Sequence, residues 1–293
     1  MRKEVNFRMI HIKQKMGVNK KFFSILIRII VLTIYLLIVI FPLYWMLITS
    51  LKPRNDIYTL NIQYWPYHVT FQNYTELWRF TQFPIYLKNS IFVSVISSTL
   101  VLFFSILGGY ALARYKFKWK NFTIISLLIT QMIPTVLLII PLYVIFSRFM
   151  IINTLISLII FYTTINLPFS LLMMGSFFEQ IPKSLEEAAM IDGCTKAQVI
   201  IKIVLPVMLP GIIAVFVFAF VGAWNELLGG VMFINSESLK TIPVGLNGFV
   251  GKFEVNWGQM SAGSILALIP TVIMFAFVQR YIVEGLTKGA VKE

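Results

Sequence analysis

Apolar residues fall into six long runs along the chain, Phe22 to Leu51 and then 89–113, 121–147, 151–178, 204–234 and 261–283, separated by shorter polar stretches. Each run exceeds the roughly 20 residues needed to cross a hydrocarbon core, and in lipid only a helix or a closed barrel satisfies its own backbone. The pattern predicts an all-α polytopic membrane protein with six transmembrane helices. Their surplus length implies tilt or helix ends in water. Pro42, Pro134, Pro141, Pro168 and Pro270 lie inside the runs and are expected to kink them. The first run is too long for a cleaved signal and reads as a retained span.

Between the fourth and fifth runs lies a polar island, Leu185 to Pro206. Ser184 stands three residues before Glu187, a capping-box spacing that predicts a helix starting at Leu185 with Glu187 as the reciprocal cap. Gly193 follows about two turns later and suits a left-handed helix stop. Thr195 and Gln198 repeat the capping box, so a second helix is expected to run from there toward Leu205, Pro206 and Pro210. On the first helix Leu185, Ala188, Ala189 and Asp192 share one face, whose middle is only two methyl groups. So low a face suits a groove on another protein, and it equally suits a connector lying on lipid headgroups.

Composition agrees with the runs. Of 293 residues 58% are hydrophobic and 13% charged, and the mean hydropathy is +0.82, whereas soluble domains carry about 25% charged residues. The net charge of +13 is unevenly placed: segments 1–21, 114–120, 179–202 and 280–293 hold seventeen Lys and Arg, the alternate loops seven. The positive-inside rule then puts both termini and the island in the cytosol. Arg114 to Lys120, basic with interleaved aromatics, reads as a topology anchor at a span end and not as a nucleic-acid patch. A lone cysteine, Cys194, excludes an internal disulfide.

Little of the chain can carry catalysis. His11 and His68 lie far apart in different segments, no His/Cys grouping has zinc spacing, and the single Gly-Lys pair, Gly251-Lys252, continues into Phe253 where a phosphate-binding loop needs Ser or Thr. The chain is therefore expected to be no ATPase itself, and uphill transport would draw on a partner or an ion gradient. Polar residues within the runs mark a pathway because they are costly in lipid. Gln131, Asn166 and Asn225 are the candidates. Glu226 raises an ion-coupled carrier as the alternative, or is a wet or hydrogen-bonded group near the end of its span. Segment 52–88, rich in aromatics, reads as interfacial turns and short helices. Segment 235–260, with Gly245, Gly248, Gly251 and Gly258, reads as a loop that bends tightly or approaches another surface.

Glu187-Ala188-Ala189, three residues, Gly193, nine residues, then Ile203-x-Leu205-Pro206 matches the EAA signature of permease subunits of ATP-binding-cassette importers. Gly108 to Arg114, Trp224 to Leu227, Ile242 to Leu246, and Trp257-Gly258 through Gln279-Arg280-Tyr281 to Lys292 resemble the maltose-type branch, with Glu226 where Asp is the usual residue. The resemblance implies a single permease domain over 22–293 with core 85–283, a coupling loop 179–206 with a cytoplasmic coupling helix between spans four and five, a basic tail 1–21 and a short tail 284–293. Implied partners are a second permease, two ATP-binding subunits, an extracytoplasmic solute-binding protein and membrane lipid, with no nucleic acid. No cofactor or metal is expected on this chain, ATP and Mg being held by the ATPases. Leu185, Glu187, Ala188, Ala189, Asp192 and Gly193 would couple to an ATPase, and Asn247, Gly248, Gly251 and Trp257 would contact the binding protein. The implied cargo is a sugar or oligosaccharide, and the implied place a bacterial inner membrane.

Overall fold

The computed structural model describes residues 2–251 and 255–290, with side chains for 23–251 and 255–279; Lys252, Phe253 and Glu254 lie outside the described residues, as do the side chains of the basic tail and of the family-like stretch beyond Gln279. The chain is helical almost throughout. Helix α1 covers Arg2–Ser50, followed by the short α2 (Arg54–Ile57) and α3 (Gln72–Phe80), then α4 (Phe83–Arg114), α5 (Lys120–Met132), α6 (Thr135–Arg148) and α7 (Leu155–Glu179). The island forms α8 (Lys183–Ile191) and α9 (Lys196–Val199), a π-helical turn (Ile200–Val204) and α10 (Leu205–Val207). Helices α11 (Leu209–Trp224), α12 (Leu228–Phe233), α13 (Ile242–Asn247) and α14 (Trp257–Ala290) complete the fold.

Four of the six apolar runs are each carried by one long helix, and two are broken. The run 121–147 splits into α5 and α6, which meet at 97°. Pro134 has no amide hydrogen to continue a helix, and it drives Ile133 to an extended ψ of 121°. The run 204–234 fares similarly. Its leading end belongs to the island helix, which meets α11 at 77° across Met208, just ahead of Pro210 at the start of α11. Its trailing end stops at Trp224, and α12 begins only at Leu228. Four helices are long and apolar enough to span a membrane, or up to six if each bent pair is one span.

Helices α4 and α7 form the most extensive pair. They approach closely because Gly109 and Gly175 face each other: a Cβ on Gly109 would stand 2.9 Å from the Gly175 nitrogen and from Met174. Between apolar helices in lipid, such small residues supply the van der Waals contact that hydrophobic burial cannot. Two of the buried serines on α4 satisfy themselves locally, Ser97 Oγ donating to the Val93 carbonyl at 2.7 Å and Ser98 Oγ to that of Ser94 at 2.6 Å. Around this seam sit two apolar clusters, one where α4 and α7 meet the island (Tyr110, Met174, Phe178, Val204), one toward the opposite end (Val93, Phe161, Tyr162, Phe233). A third joins α3, α4, α11 and α14 through Leu77, Phe83, Trp224 and Ala262.

Candidate functional site

The island is built as a capped hairpin of two short helices. Gly193 adopts φ +87°. The amide of Cys194 donates to the Ala189 carbonyl at 3.0 Å and that of Gly193 to Met190 at 3.1 Å, the paired bonds of a Schellman stop. Thr195 then caps α9: its amide donates to Gln198 Oε1 at 2.8 Å, and the Gln198 amide returns to Thr195 Oγ1 at 3.4 Å. Both features agree with their sequence signatures.

The start of α8 does not. The helix begins at Lys183 with Pro182 as its cap and no side-chain cap, so Ser184 is already inside it and the Ser184–Glu187 box is absent. Pro182 has no amide hydrogen for a reciprocal carboxylate to accept, and its fixed φ already suits a helix entry. Glu187 is exposed. The neighbouring Glu186, which the sequence pattern does not single out, is the buried carboxylate. Arg114 Nε donates to Glu186 Oε1 at 2.5 Å, Tyr110 Oη donates to Glu186 Oε2 at 2.9 Å, and Arg114 Nη2 donates to the Ile181 carbonyl at 2.9 Å. Both side chains of the ion pair are over nine-tenths buried. A buried pair of this kind is held by geometry and further hydrogen bonds, since its Coulomb attraction is largely offset by desolvation.

Turning Glu186 inward rotates the helix relative to expectation. Ala189, one turn on, goes inward with it and packs among Tyr110, Met174 and Phe178, 6% exposed. Ala189 therefore does not belong to an outward docking face. Leu185, Ala188 and Asp192 remain outward, together with Met190 and Ile191, the latter 86% exposed. The result is a helix clamped on one side to the end of α4 and presenting a short apolar ridge on the other.

At the opposite end, segment 235–260 is moored on α4. Asn89 Nδ2 donates to the carbonyls of Ser238 and Lys240, each at 3.0 Å, and Ser90 Oγ accepts from the Ile242 amide at 2.8 Å. Gly245 lies against the Tyr86 ring, where a Cβ would stand 2.1 Å from a ring carbon. Its close approach is thus to this chain's own helix. Past α13 the surface opens, and Asn247, Gly248, Gly251 and Trp257 are all exposed. Asn153, in the turn between α6 and α7, adds a second mooring: its φ is +58° and its Oδ1 accepts from the amides of Asn235 and Ser236.

Glu237 belongs to that mooring, accepting from the Tyr86 hydroxyl and pairing with Lys240. The Lys240 ammonium, then the Tyr86 hydroxyl, hold its carboxyl below the usual glutamate value. A depressed carboxyl stabilises above its unfolded pKa, and that contribution is lost as pH falls through the folded one. The mooring is expected to hold at neutral pH and to loosen in acid below the ordinary glutamate range. Backbone hydrogen exchange across 235–241 would report it, and protection that persists unchanged well below that range would count against it.

The three pathway candidates are not gathered into one site. Asn166 is buried between α7 and α11: its Nδ2 donates to the Tyr162 carbonyl at 2.8 Å, and its Oδ1 occupies the space where a Gly222 side chain would begin. Asn225 is exposed at the end of α11, bonded to the Val221 carbonyl. Gln131 is exposed on α5. Glu226 is the hydrogen-bonded group, its carboxylate accepting from the Gly229 amide at 3.0 and 3.1 Å and thereby capping α12.

Residues 102–288 match the model of the family described as binding-protein-dependent transport system inner membrane component. The chain is 38% identical to the diacetylchitobiose uptake system permease protein DasC of Streptomyces coelicolor, over 86% of this chain and 92% of that one. It is 35% identical to the sulfoquinovosyl glycerol transport system permease protein SmoH of Agrobacterium fabrum, over 94% and 97%. It is 34% identical to the trehalose/maltose transport system permease protein MalG of Thermococcus litoralis, over 87% and 92%. Its fold resembles a chain in the crystal structure of a bacterial ABC transporter involved in the import of the acidic polysaccharide alginate, with a TM-score of 0.77 at 20% identity, covering 87% of this chain and 95% of that one. With its helical bundle and island hairpin, the chain belongs to the inner-membrane permease components of binding-protein-dependent transport systems.

Proposed function

We propose that the chain is a permease subunit of an ATP-driven importer of a sugar or oligosaccharide, and that α8 is where it takes up the motion of an ATPase subunit. The carbohydrate reading is supported by the transport systems for which DasC, SmoH and MalG are named. One observation carries the coupling reading: α8 is fixed inward by the Glu186–Arg114 pair while Leu185, Ala188 and Ile191 face outward. A groove that gripped this ridge would move the end of α4 with it. The breaks at Met208 and Pro134 then let α11 and the α5–α6 pair change their angle to the α4–α7 seam without bending a continuous helix.

Both termini and α8 are assigned to the cytosol, and the moored segment 235–260 to the outside, where Asn247, Gly248, Gly251 and Trp257 meet a solute-binding protein. The distribution of basic residues supports this orientation. A second permease completes the pathway. An ion-coupled carrier is not favoured, because the carboxylate it would use, Glu226, is committed to the Gly229 amide.

The burial pattern of α8 supplies the test. Ala188→Trp adds bulk on the outward ridge and is expected to leave the protein inserted while ATPase association and uptake fall together. Ala189→Trp places the same bulk in the cluster around Phe178, where overpacking costs about 1–3 kcal/mol or more, and is expected to lower the amount of folded protein as well. Co-purification with the ATPase subunits and solute uptake separate the two. Normal association and uptake by Ala188→Trp would sink the coupling role of α8.

A further inference from the structure

A cavity of about 570 Å³ lies between the last turns of α1 and the first turns of α14, and none of its lining comes from α8 or the α4–α7 seam. Along α1 the lining passes from Phe41 and Trp45 to Thr49 and then Lys52, apolar within the span and polar at its end. Met260 and Ser261 of α14 face them. Phe41 is half-exposed and continues the outward apolar surface that α1 shows from Phe23 onward, so the apolar end of the cavity borders the lipid-facing side.

Lys52 is the unusual member. A lysine just past a span ordinarily extends to water, yet this one is 4% exposed. Its ammonium folds back to donate to the Gln63 carbonyl and sits 5.1 Å from the centroid of the Trp45 ring. Among the described residues no carboxylate is within salt-bridge distance of it, and burial pushes its pKa below the usual lysine value, with Asp56 opposing in part. An ammonium has three N–H donors. One carbonyl and one ring face leave donor capacity, and Asp56 compensates the charge only in part, at the polar end of an apolar cavity.

We propose that this cavity binds a phospholipid, with the phosphate on Lys52 Nζ beside the Thr49 and Ser261 hydroxyls and an acyl chain along Phe41, Trp45 and Met46. The lining fits an amphiphile better than free phosphate, because most of it is apolar and only its end can hold an anion. The inference rests on α1 and α14 lying in a membrane and is independent of the carbohydrate reading.

The test uses the assembled importer purified in mild detergent, with native mass spectrometry and dioleoylphosphatidylglycerol as the probe. The wild type is expected to retain the lipid, and dioleoylglycerol, which lacks the phosphate, is expected not to displace it. Lys52→Met should weaken binding about tenfold, the worth of one hydrogen bond to a charged group, and Lys52→Arg should restore it. Phosphatidylglycerol with brominated acyl chains should quench Trp45, by a part that Trp45→Phe removes. Equal binding by Lys52→Met, displacement by dioleoylglycerol, or displacement by inorganic phosphate alone would each overturn the proposal. So would an assembled complex in which no lipid binds, as it would if the second permease filled the cavity.

Discussion

Arg114→Ala is expected to abolish ATPase association and uptake while leaving the helices inserted. The substitution strands the Glu186 carboxylate in a buried site with only the Tyr110 hydroxyl, and removing one partner of a buried pair costs about 3–5 kcal/mol. The α4–α7 seam does not depend on this pair, so the cost falls on α8. Helix α8 has nine residues, and helices shorter than ~12–15 residues are marginal without tertiary packing. It is expected to leave the bundle and carry Glu186 into water. Glu186→Gln should be milder, because an amide still accepts from Tyr110 and Arg114 keeps the Ile181 carbonyl. Replacing both partners, Arg114→Met with Glu186→Leu, should recover much of the loss, since well-packed apolar pairs often replace buried ion pairs at little cost. Protease cleavage within 183–200, ATPase co-purification and uptake would be measured together. Wild-type protection and association in Arg114→Ala would show that the pair does not hold α8.

The second large effect is expected at Gly109. In Gly109→Val the new Cβ meets the Gly175 backbone nitrogen and the Met174 Cβ at 2.9 Å, and neither can be relieved by turning a flexible side-chain end. The helices must separate, which exceeds the usual overpacking cost of about 1–3 kcal/mol because the whole seam loses contact. The neighbouring Gly108→Ala is the control. The three atoms nearest its Cβ would all belong to the Leu171 side chain, a methyl at 2.8 Å and Cγ at 3.1 Å, and that side chain can give way where backbone cannot. Thermal unfolding of the detergent-purified protein should show a large loss for Gly109→Val and a small one for Gly108→Ala. Equal melting of the two would mean that the Gly109–Gly175 approach is not what holds α4 to α7.

Much of the island is legible in its residues alone. Gly193 and the Thr195–Gln198 box are local devices, in which the residue types and their spacing suffice to specify the hydrogen bonds. The start of α8 is not, because Ser184 and Glu187 offer one local solution while Pro182 offers another two residues earlier. Glu186 escapes for a different reason. Its partner Arg114 is 72 residues away, and Arg114 sits in a basic cluster that topology alone accounts for. A basic residue closing one span, set against a doubled carboxylate in the next segment expected on the same side, is the signal that could have found it.

Apolar run length and the placement of basic residues are enough for a helical membrane protein and for an expected orientation, because lipid imposes those requirements on each segment separately. Glycine positions announce close approach but not the surface approached. Gly245 lies on Tyr86 of this chain, and Gly109 on Gly175. Which of the prolines breaks its run and which stays inside a helix, which face of α8 turns inward and what Asn166 touches were decided only by packing. These depend on which distant side chains arrive together. Rotation of a short helix is set by its strongest inward contact, here a buried charge pair, and helical periodicity alone cannot choose between Glu186 and its neighbour for that contact.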